Sequence, residues 1–543
     1  MYWKRMQNLT VFIVLLLLTS CAATPARKSV ERATGYSEGS YLRFVDDTPD
    51  TVDPQCTSEY YTVPLNIFDR LVEVGSDPES GRSEIVPSLA EWWTVSPDGL
   101  RYSFHLREGV TFSDGSPLTA SDVGFTFRRL LTHPQACNQD IATSILGARE
   151  LMEGRATSLE GFSEEGDYDF TFTLAEPYAA FLACLSTPGA SILDEESTTA
   201  AGDLFGKVPE ATIGTGPFIF REWTPGIRML LTANETCWSG PPRCAGLDIQ
   251  LVSDSEAQRL MFEKGELDIL DLDTMGTEAE FFVHGDIYQN HLCHGPRVGI
   301  TYIALNESIE PLNDARIRRA LQLSLNRQIL LDAVYGGRGA LENGIFPRGL
   351  IGFNPNLPAI PYAPAEARAL LEEAGYPNGF SLHISYPAES TDSTKELLRL
   401  AAAMWQEVGV RPLLLEVPES EFMTKRRNGE LSCYASTWSA DFDDPDNFIY
   451  TFFGTAENTF SRSLCYADGA VMERVRAARA IVDPARRLEE YQDLERRIIQ
   501  EDAAWVPLFS KQHFFVVSDR VDGFRVSWNG WSSNRYRDVA VTQ

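Results

Sequence analysis

The sequence lacks several motifs that accompany common enzyme chemistry. It contains no H-E-x-x-H pair of zinc-protease histidines, no G-x-x-x-x-G-K-[ST] phosphate loop and no C-x-x-C pair. These absences disfavour a zinc protease, a P-loop nucleotide hydrolase, a zinc ribbon and thioredoxin-type redox chemistry. We therefore expect that the chain is not an enzyme and that it holds no cofactor and no metal ion.

Positive charge is also scarce in this chain. Its 543 residues include 47 Lys and Arg against 77 Asp and Glu, which gives a formal net charge of −30. A negative field repels phosphate backbones, whose binding rests on neutralisation by Lys and Arg. Nucleic acid is therefore not expected as a partner, whereas solubility and the attraction of cationic groups are favoured.

Only one long apolar run stands out, and it lies at the N-terminus. Lys4 and Arg5 precede the run from Val11 to Leu18, which is much shorter than the ~20 residues that cross a bilayer as a helix. This pattern predicts that residues 1–20 are a secretory signal peptide.

The residues after this run indicate how the chain is anchored. Leu18 lies three residues before Cys21 with small residues between them, which resembles the bacterial lipobox. Cys21 would then be the acylated first residue, and residues 21–35 would be a flexible tether to the membrane. The alternative is cleavage near Ala22 or Ala23 and a soluble periplasmic protein without a lipid.

Nine cysteines are present, so eight remain if Cys21 is acylated. An even number of thiols in an oxidising compartment favours disulfides, although their connectivity is not readable from sequence. The first pair predicted is Cys237 with Cys244, because Gly240, Pro241 and Pro242 between them favour a turn.

Strand and helix patterns are mixed along the chain. Apolar residues alternate with polar ones at 168–174, 247–251 and 380–386, which predicts half-buried strands. Helical spacing occurs at 367–374 and 397–408 and after Asp314, where we expect Arg316, Arg318 and Arg319 to face outward. This mixture predicts an α/β protein.

Several strings resemble those of the bacterial family 5 extracytoplasmic solute-binding proteins, the oligopeptide and dipeptide binders of ATP-binding-cassette (ABC) importers. The strongest is LREGVTFSDGSPLTASDV at 106–123, which in the family forms a strand, a turn and the start of a helix. Other strings follow in the family's order: DTVDPQ at 50–55, IGTGPFIFREW at 213–223, EKGELDI at 263–269, LNDARIRRALQLSLNR at 312–327, YAPAEARALLEEAGY at 362–376 and TWSADFDDPDNF at 437–448.

The resemblance implies a two-lobed periplasmic-binding-protein fold, type II-like and class C, with an extra domain II. The implied domain I consists of residues 36–71, 208–296 and 513–543, domain II of 72–207, and domain III of 297–512. Domains I and II form one lobe and domain III the other. Strands near 297–306 and 505–516 would cross between the lobes as a hinge.

Asp441 is the candidate ligand-binding residue. It lies three residues after Trp438, where peptide binders of the family present an aspartate to the ligand's α-amine; a fixed carboxylate would keep that charge paired in a water-poor cleft. The family more often has glycine where this chain has Thr437, so the shape of this pocket is expected to differ from that of the family.

Trp438 is expected either on the pocket wall or in the core beneath it. Tyr60 lies in a segment that corresponds to a family loop lining the cleft opposite domain III, so the resemblance implies either a ligand contact or a packed interface tyrosine.

Asp443, Asp444 and Asp446 are expected to solvate a loop around Pro445 instead of contacting ligand. A calcium site there lacks the needed ligand spacing. His284, His291, Cys293 and His294 form a second cluster, and relatives of the family carry nickel chelates or haem. We favour no metal there, because neighbouring strand residues point to opposite faces.

The implied function is a lipid-anchored extracytoplasmic, periplasmic solute-binding protein, acting as a monomer, that captures small peptides in the interlobe cleft. It would deliver them to the permease of an ABC transporter. Within the same fold, the ligand could instead be a nickel chelate, haem, glutathione or a sugar. A substrate sensor or an exported chaperone-like protein would use the same cleft.

Overall fold

The computed structural model of the chain describes residues 41–57, 60–76, 83–527 and 534–542. The predicted signal peptide, Cys21 and the tether lie outside these residues. In the described part, no helix combines the length and the apolar composition needed to span a membrane.

Strands are distributed along the whole described chain. Those before residue 200 are β1 (Tyr41–Val45), β2 (Val72–Ser76), β3 (Ser83–Pro87), β4 (Ala90–Val95), β5 (Arg101–Leu106), β6 (Phe162–Glu164) and β7 (Asp169–Thr173). Those after it are β8 (Phe218–Thr224), β9 (Arg228–Ala233), β10 (Gly246–Gln250), β11 (Ile269–Asp271), β12 (Leu292–Pro296), β13 (Gly299–Leu305), β14 (Gly339–Leu341), β15 (Ser381–Pro387), β16 (Arg411–Val417), β17 (Cys433–Ser439), β18 (Trp505–Val517), β19 (Val521–Asp522) and β20 (Ala540–Val541).

Helices are concentrated in the second half. Those before residue 300 are α1 (Thr62–Ile67), α2 (Ala120–Thr132), α3 (Ala148–Met152), α4 (Phe181–Leu185), α5 (Glu195–Ala201), α6 (Ser255–Glu263) and α7 (Ala279–His284). Those after it are α8 (Ala315–Leu323), α9 (Arg327–Tyr335), α10 (Pro364–Glu373), α11 (Asp392–Glu407), α12 (Glu419–Arg427), α13 (Asp446–Phe453), α14 (Ala456–Phe460), α15 (Gly469–Ala478) and α16 (Pro484–Arg496). Short 3-10 turns occupy Gln139–Ile141, Pro188–Ala190, Gly202–Leu204, Pro209–Ala211, Gly276–Glu278 and Asp286–His291, and a π turn occupies Arg497–Glu501.

The predicted elements are confirmed at β7, β10 and β15 and at α8, α10 and α11. Pro364 opens α10, where its missing N–H costs nothing, and Gly409 follows α11 with a φ of +99°, which favours glycine. The string at 106–123 also forms the expected strand end, turn and helix start. The main-chain N–H of Thr119 donates to Asp122 at 2.9 Å and thereby helps to cap α2.

Most strands belong to one large mixed sheet with the order β16-β15-β17-β13-β18-β11-β1-β10-β9-β8, with β12 and β14 also paired to β18. β18 connects the two halves of this sheet. Its first part pairs with β13 and β14, and its last part pairs with β11 and β12. One continuous strand therefore joins the two regions that flank the site described below.

Separate hydrophobic cores lie on either side of this strand. One core comprises buried residues from 298 to 509, and another comprises residues from 71 to 192, around the antiparallel sheet β4-β5-β7-β6. A third core packs β1 and β8 to β10 with the C-terminal segment. Phe442 is an exception, because its side chain packs in the core of residues 71–192 although its chain neighbours belong to the first core.

Two expectations are wrong in this part of the molecule. Arg318 is 3% exposed and does not face outward; its guanidinium pairs with Glu307 at 3.0 Å and donates to the carbonyl of Leu312 at 2.7 Å. Cys237 and Cys244 are free thiols, like the other cysteines of the described chain. The thiol of Cys244 instead lies 3.5 Å from the carbonyl oxygen of Gly246.

Candidate ligand-binding site

A cavity of about 530 Å³ lies between segments that come from both sides of β18. One wall is formed by the loop after β17. The others are formed by the segment around α1 and β2, by two loops of the 71–192 region, and by the C-terminal segment. The residues that line it are Tyr61, Leu65, Arg70, Glu73, Val74, Gly75, Cys137, Asn138, Asp140, Ile141, Ser186, Thr187, Pro188, Gly189, Ala440, Asp441, Phe442, Arg525, Val526, Ser527 and Arg535.

Asp441 lies in the loop between β17 and α13, and its side chain is exposed to the cavity. Asn447, in the first turn of α13, holds the Asp441 side chain in place. The amide Nδ2 of Asn447 donates to Asp441 Oδ2 at 3.0 Å, and the main-chain N–H of Asp441 donates to Asn447 Oδ1 at 3.0 Å. Among the described residues, no Lys, Arg or His forms an ion pair with this carboxylate.

Three effects act on the pKa of Asp441. Loss of hydration among the surrounding protein atoms raises the pKa, and the hydrogen bond from Asn447 partly offsets this; the nearby negative charge of Asp140 raises the pKa further. The net shift is upward, because desolvation disfavours the charged form. A cationic ligand group would relieve this condition by pairing with the carboxylate.

Trp438 is not on the cavity wall formed by the described residues. Its indole N–H donates to the main-chain oxygen of Asn447 at 3.2 Å and to Asn447 Oδ1 at 3.3 Å. Its ring makes an edge contact with Phe452, at 5.4 Å between centroids. Trp438 therefore supports Asn447, which in turn holds Asp441.

Tyr60 lies in the core formed around β1 and the C-terminal segment and does not line the cavity. The next residue, Tyr61, does line it. Burial, with the nearby charge of Asp441 as a smaller contribution, raises the pKa of Tyr61 to about 12, so its hydroxyl stays protonated and donates to the carbonyl of Thr57 at 3.1 Å. The sequence gives no signal that separates these adjacent tyrosines.

Two of the three arginines on the cavity wall already have carboxylate partners. Arg70 is 2% exposed and donates to Glu73 Oε1 at 2.9 Å. Arg535 pairs with the other oxygen of Glu73 and, at 3.2 Å, with Asp69. Burial alone would raise the pKa of Glu73, but the two guanidinium groups hold it below its ordinary value.

Asp140 and Arg525 are charged wall residues that sequence reasoning missed. Both side chains are exposed to the cavity, and neither forms an ion pair with any described residue. Partial burial raises the pKa of Asp140. Neither residue belongs to a recognisable motif, so only the fold, which brings residues 140, 441 and 525 together, identifies them.

The expectation that Asp443, Asp444 and Asp446 solvate a loop is wrong, because all three side chains are buried. Asp443 accepts a hydrogen bond from the main-chain N–H of Ile351 at 2.9 Å. Asp444 forms a two-pronged ion pair with Arg487, at 2.6 and 2.7 Å. These carboxylates therefore support the loop that carries Asp441.

The histidines of the second cluster are directed to separate partners. His284 pairs with Glu280 at 2.8 Å, and His291 Nδ1 lies 3.1 Å from the carbonyl oxygen of Val517. The ring of His294 lies tilted against that of Phe514, at 5.2 Å between centroids. Within the described ranges, no group of three or more His, Cys, Asp or Glu side chains converges as metal ligands would.

Comparison with known proteins identifies relatives over nearly the whole chain. Residues 84–460 match the sequence model described as bacterial extracellular solute-binding proteins, family 5 middle. The chain is 27% identical to heme-binding protein A of Haemophilus influenzae, with 98% of both chains covered. It is 28% identical to the dipeptide-binding protein of Escherichia coli K12, with 92% of both chains covered.

Solved structures show the same fold. The chain is similar to HbpA2 from Haemophilus parasuis, with a TM-score of 0.80 and 26% identity over 93% of this chain and all of that one. The unliganded open form of the periplasmic murein tripeptide-binding protein MppA has a TM-score of 0.80 at 21% identity, over 93% of this chain and 98% of that one.

Proposed function

This chain belongs to the bacterial extracellular solute-binding proteins of family 5, and from that premise we propose that it binds small peptides in the cavity around Asp441. The membership confirms the predicted family and the predicted two-lobed α/β fold. The family consists of binding proteins, and we propose that this chain likewise acts by binding and not by catalysis.

One observation carries the peptide proposal. Asp441 presents an unpaired carboxylate to the cavity from a loop that Asn447 holds in place. A carboxylate in such surroundings is stabilised by a cation, and every unmodified peptide supplies one at its N-terminus. The cavity volume of about 530 Å³ lies within the ~300–1,000 Å³ usual for small-molecule sites.

We propose that ligand binding closes the two lobes. The cavity wall draws on both sides of β18, so a ligand that contacts both walls favours the closed form. Closure would bend the paired segments 292–305 and 505–517, which include most of the hinge segments near 297–306 and 505–516 that the family resemblance implies. The boundaries given above for domains I, II and III are proposed on the same basis.

The remaining steps concern export and delivery. We propose that the mature chain begins at acylated Cys21, is held at the membrane by residues 21–35 and hands its ligand, as a monomer, to the permease of an ABC transporter. The N-terminal sequence pattern and the family membership support this proposal.

A second candidate ligand is haem, because one relative is named heme-binding protein A. Tyr61 and Cys137 on the wall are of residue types that ligate haem iron. The wall also carries Arg525, which could pair with a carboxylate of such a ligand.

Calorimetry with defined ligands separates these candidates. We expect binding of the free peptides Met-Leu and Ala-Ala-Ala and little binding of their N-acetyl forms. Asp441→Ala should weaken binding at least about a hundredfold, since breaking a buried charge pair costs ~3–5 kcal/mol. Asp519→Ala, at a side chain that is 94% exposed, is the matched control. Binding of haem but of no peptide would favour the second candidate.

A further inference from the structure

We infer that Arg525 receives the carboxylate of the ligand whose amine pairs with Asp441, an inference that rests on the proposed peptide function. The ligand would then be recognised through both of its termini. Recognition at two charged ends would select short peptides with a free C-terminus.

The three arginines on the cavity wall differ in whether they already have a carboxylate partner. Arg70 and Arg535 share the carboxylates of Glu73 and Asp69. Arg525 has an exposed guanidinium on the same wall and no ion pair with any part of the chain that the structure describes. It is therefore the cation on this wall that is available to an incoming anion.

The other uncompensated charges on the wall are negative. They are Asp441 and Asp140, and the negative charge of Asp140 disfavours ionisation of Asp441. The cavity thus presents carboxylates from two walls and one guanidinium from a third. A zwitterion complements this arrangement, whereas an amine alone would leave Arg525 without a partner.

Asp441 and Arg525 lie in different lobes, so a ligand that pairs with both would bridge the lobes. Asp441 follows β17, in the half of the sheet beyond β13, while Arg525 follows β19, in the C-terminal segment that packs with β1 and β10. A guanidinium binds a carboxylate through two parallel hydrogen bonds, which also fixes the direction of the ligand. The span between the two groups then limits the peptide length.

The test compares free peptides with their C-terminal amides. Isothermal titration of the purified full chain uses Met-Leu, Ala-Ala-Ala and the amide of each. Wild type should bind the free forms about 10- to 100-fold more tightly than the amides, as expected for a hydrogen-bonded charged group. Arg525→Gln should lose this preference and bind both forms as wild type binds the amide, while Arg525→Lys should keep part of it.

Arg399→Gln is the matched control, since this exposed arginine pairs with Glu396 on its own helix and is not among the residues that line the cavity. Equal affinity of wild type for free and amidated peptides would overturn the inference, and so would an undiminished preference in Arg525→Gln. In either case the proposed peptide function stands. Failure of wild type to bind any of the four peptides would overturn both proposals. The wild-type comparison needs no variant and so does not depend on the folding of Arg525→Gln.

Discussion

Asn447 and Asp441 are joined by two reciprocal hydrogen bonds of 3.0 Å each, one in each direction. The same amide oxygen also accepts the indole N–H of Trp438. The proposed amine-binding carboxylate is therefore positioned by a residue that is itself held by the core.

Replacing Asn447 with Ala should weaken peptide binding although Asn447 is not among the residues that line the cavity. Asp441 would lose the hydrogen bond that lowers its pKa, so its pKa should rise further, and the carboxylate would lose its fixed orientation. We expect roughly a tenfold loss of affinity for Met-Leu by calorimetry, from ~1–2 kcal/mol. Asn428→Ala, at an exposed amide that contacts Glu430, should bind as wild type does.

Peptide affinity should fall as the pH is lowered. Only the ionised form of Asp441 pairs with an amine, and an α-amine, with a pKa near ~8, stays protonated throughout this range. Because desolvation raises the pKa of Asp441 above the ordinary value of 3.8, the loss should begin at a higher pH than for an exposed aspartate. Calorimetry from pH 7 to pH 4 measures it. A flat profile for wild type would contradict the assignment, and Asp441→Asn should be flat.

Glu495 should make the protein less stable as the pH rises. Burial raises its pKa from 4.5 to about 8, despite hydrogen bonds from the main-chain N–H groups of Ile345 and Phe346. Because the folded pKa exceeds the unfolded one, its contribution is complete below pH 4.5 and is lost as the pH rises to about 8.

The change amounts to a few kcal/mol, at ~1.4 kcal/mol per pKa unit. Denaturant unfolding of wild type and Glu495→Gln at pH 5, 6.5 and 8 measures it. The variant should show a smaller decline, because a glutamine keeps an acceptor oxygen and never ionises. Glu490→Gln, at a partly exposed carboxylate, should follow the wild-type curve.

Phe442 should influence the relative position of the lobes. It follows Asp441 and packs in the core of residues 71–192, so Phe442→Ala would remove an apolar contact across the site. We expect a larger radius of gyration by small-angle X-ray scattering and weaker Met-Leu binding. Phe460→Ala, at a ring that is 49% exposed, should leave both quantities unchanged.

Local patterns in the sequence were sufficient for much of the fold. Period-two alternation located β7, β10 and β15, and helical spacing with Pro364 and Gly409 located α10 and α11. These signals are local, because they depend on neighbours within a few residues. The family resemblance located the loop of Asp441 because its residues are contiguous in the chain.

The errors concern partners that are distant in sequence. The helical spacing of Ile317, Ala320 and Leu321 predicts that Arg318 faces outward. Its guanidinium is instead buried, where it pairs with Glu307 and donates to the carbonyl of Asp502. Asp444 was expected in a solvated loop, but Arg487 lies against it. No local pattern encodes such pairs, and the same holds for Arg525 on the cavity wall.

β18 has a mechanical consequence for the proposed closure. The backbone of β18 is hydrogen-bonded in both halves of the sheet. Its first part pairs with β13 and β14, and its last part pairs with β11 and β12. Sliding of one half past the other would break these ladders, whereas a change of twist along the ribbon keeps them. The lobes should therefore rotate about this ribbon by twisting it, with the backbone pairs of β18 kept intact from the open to the closed form.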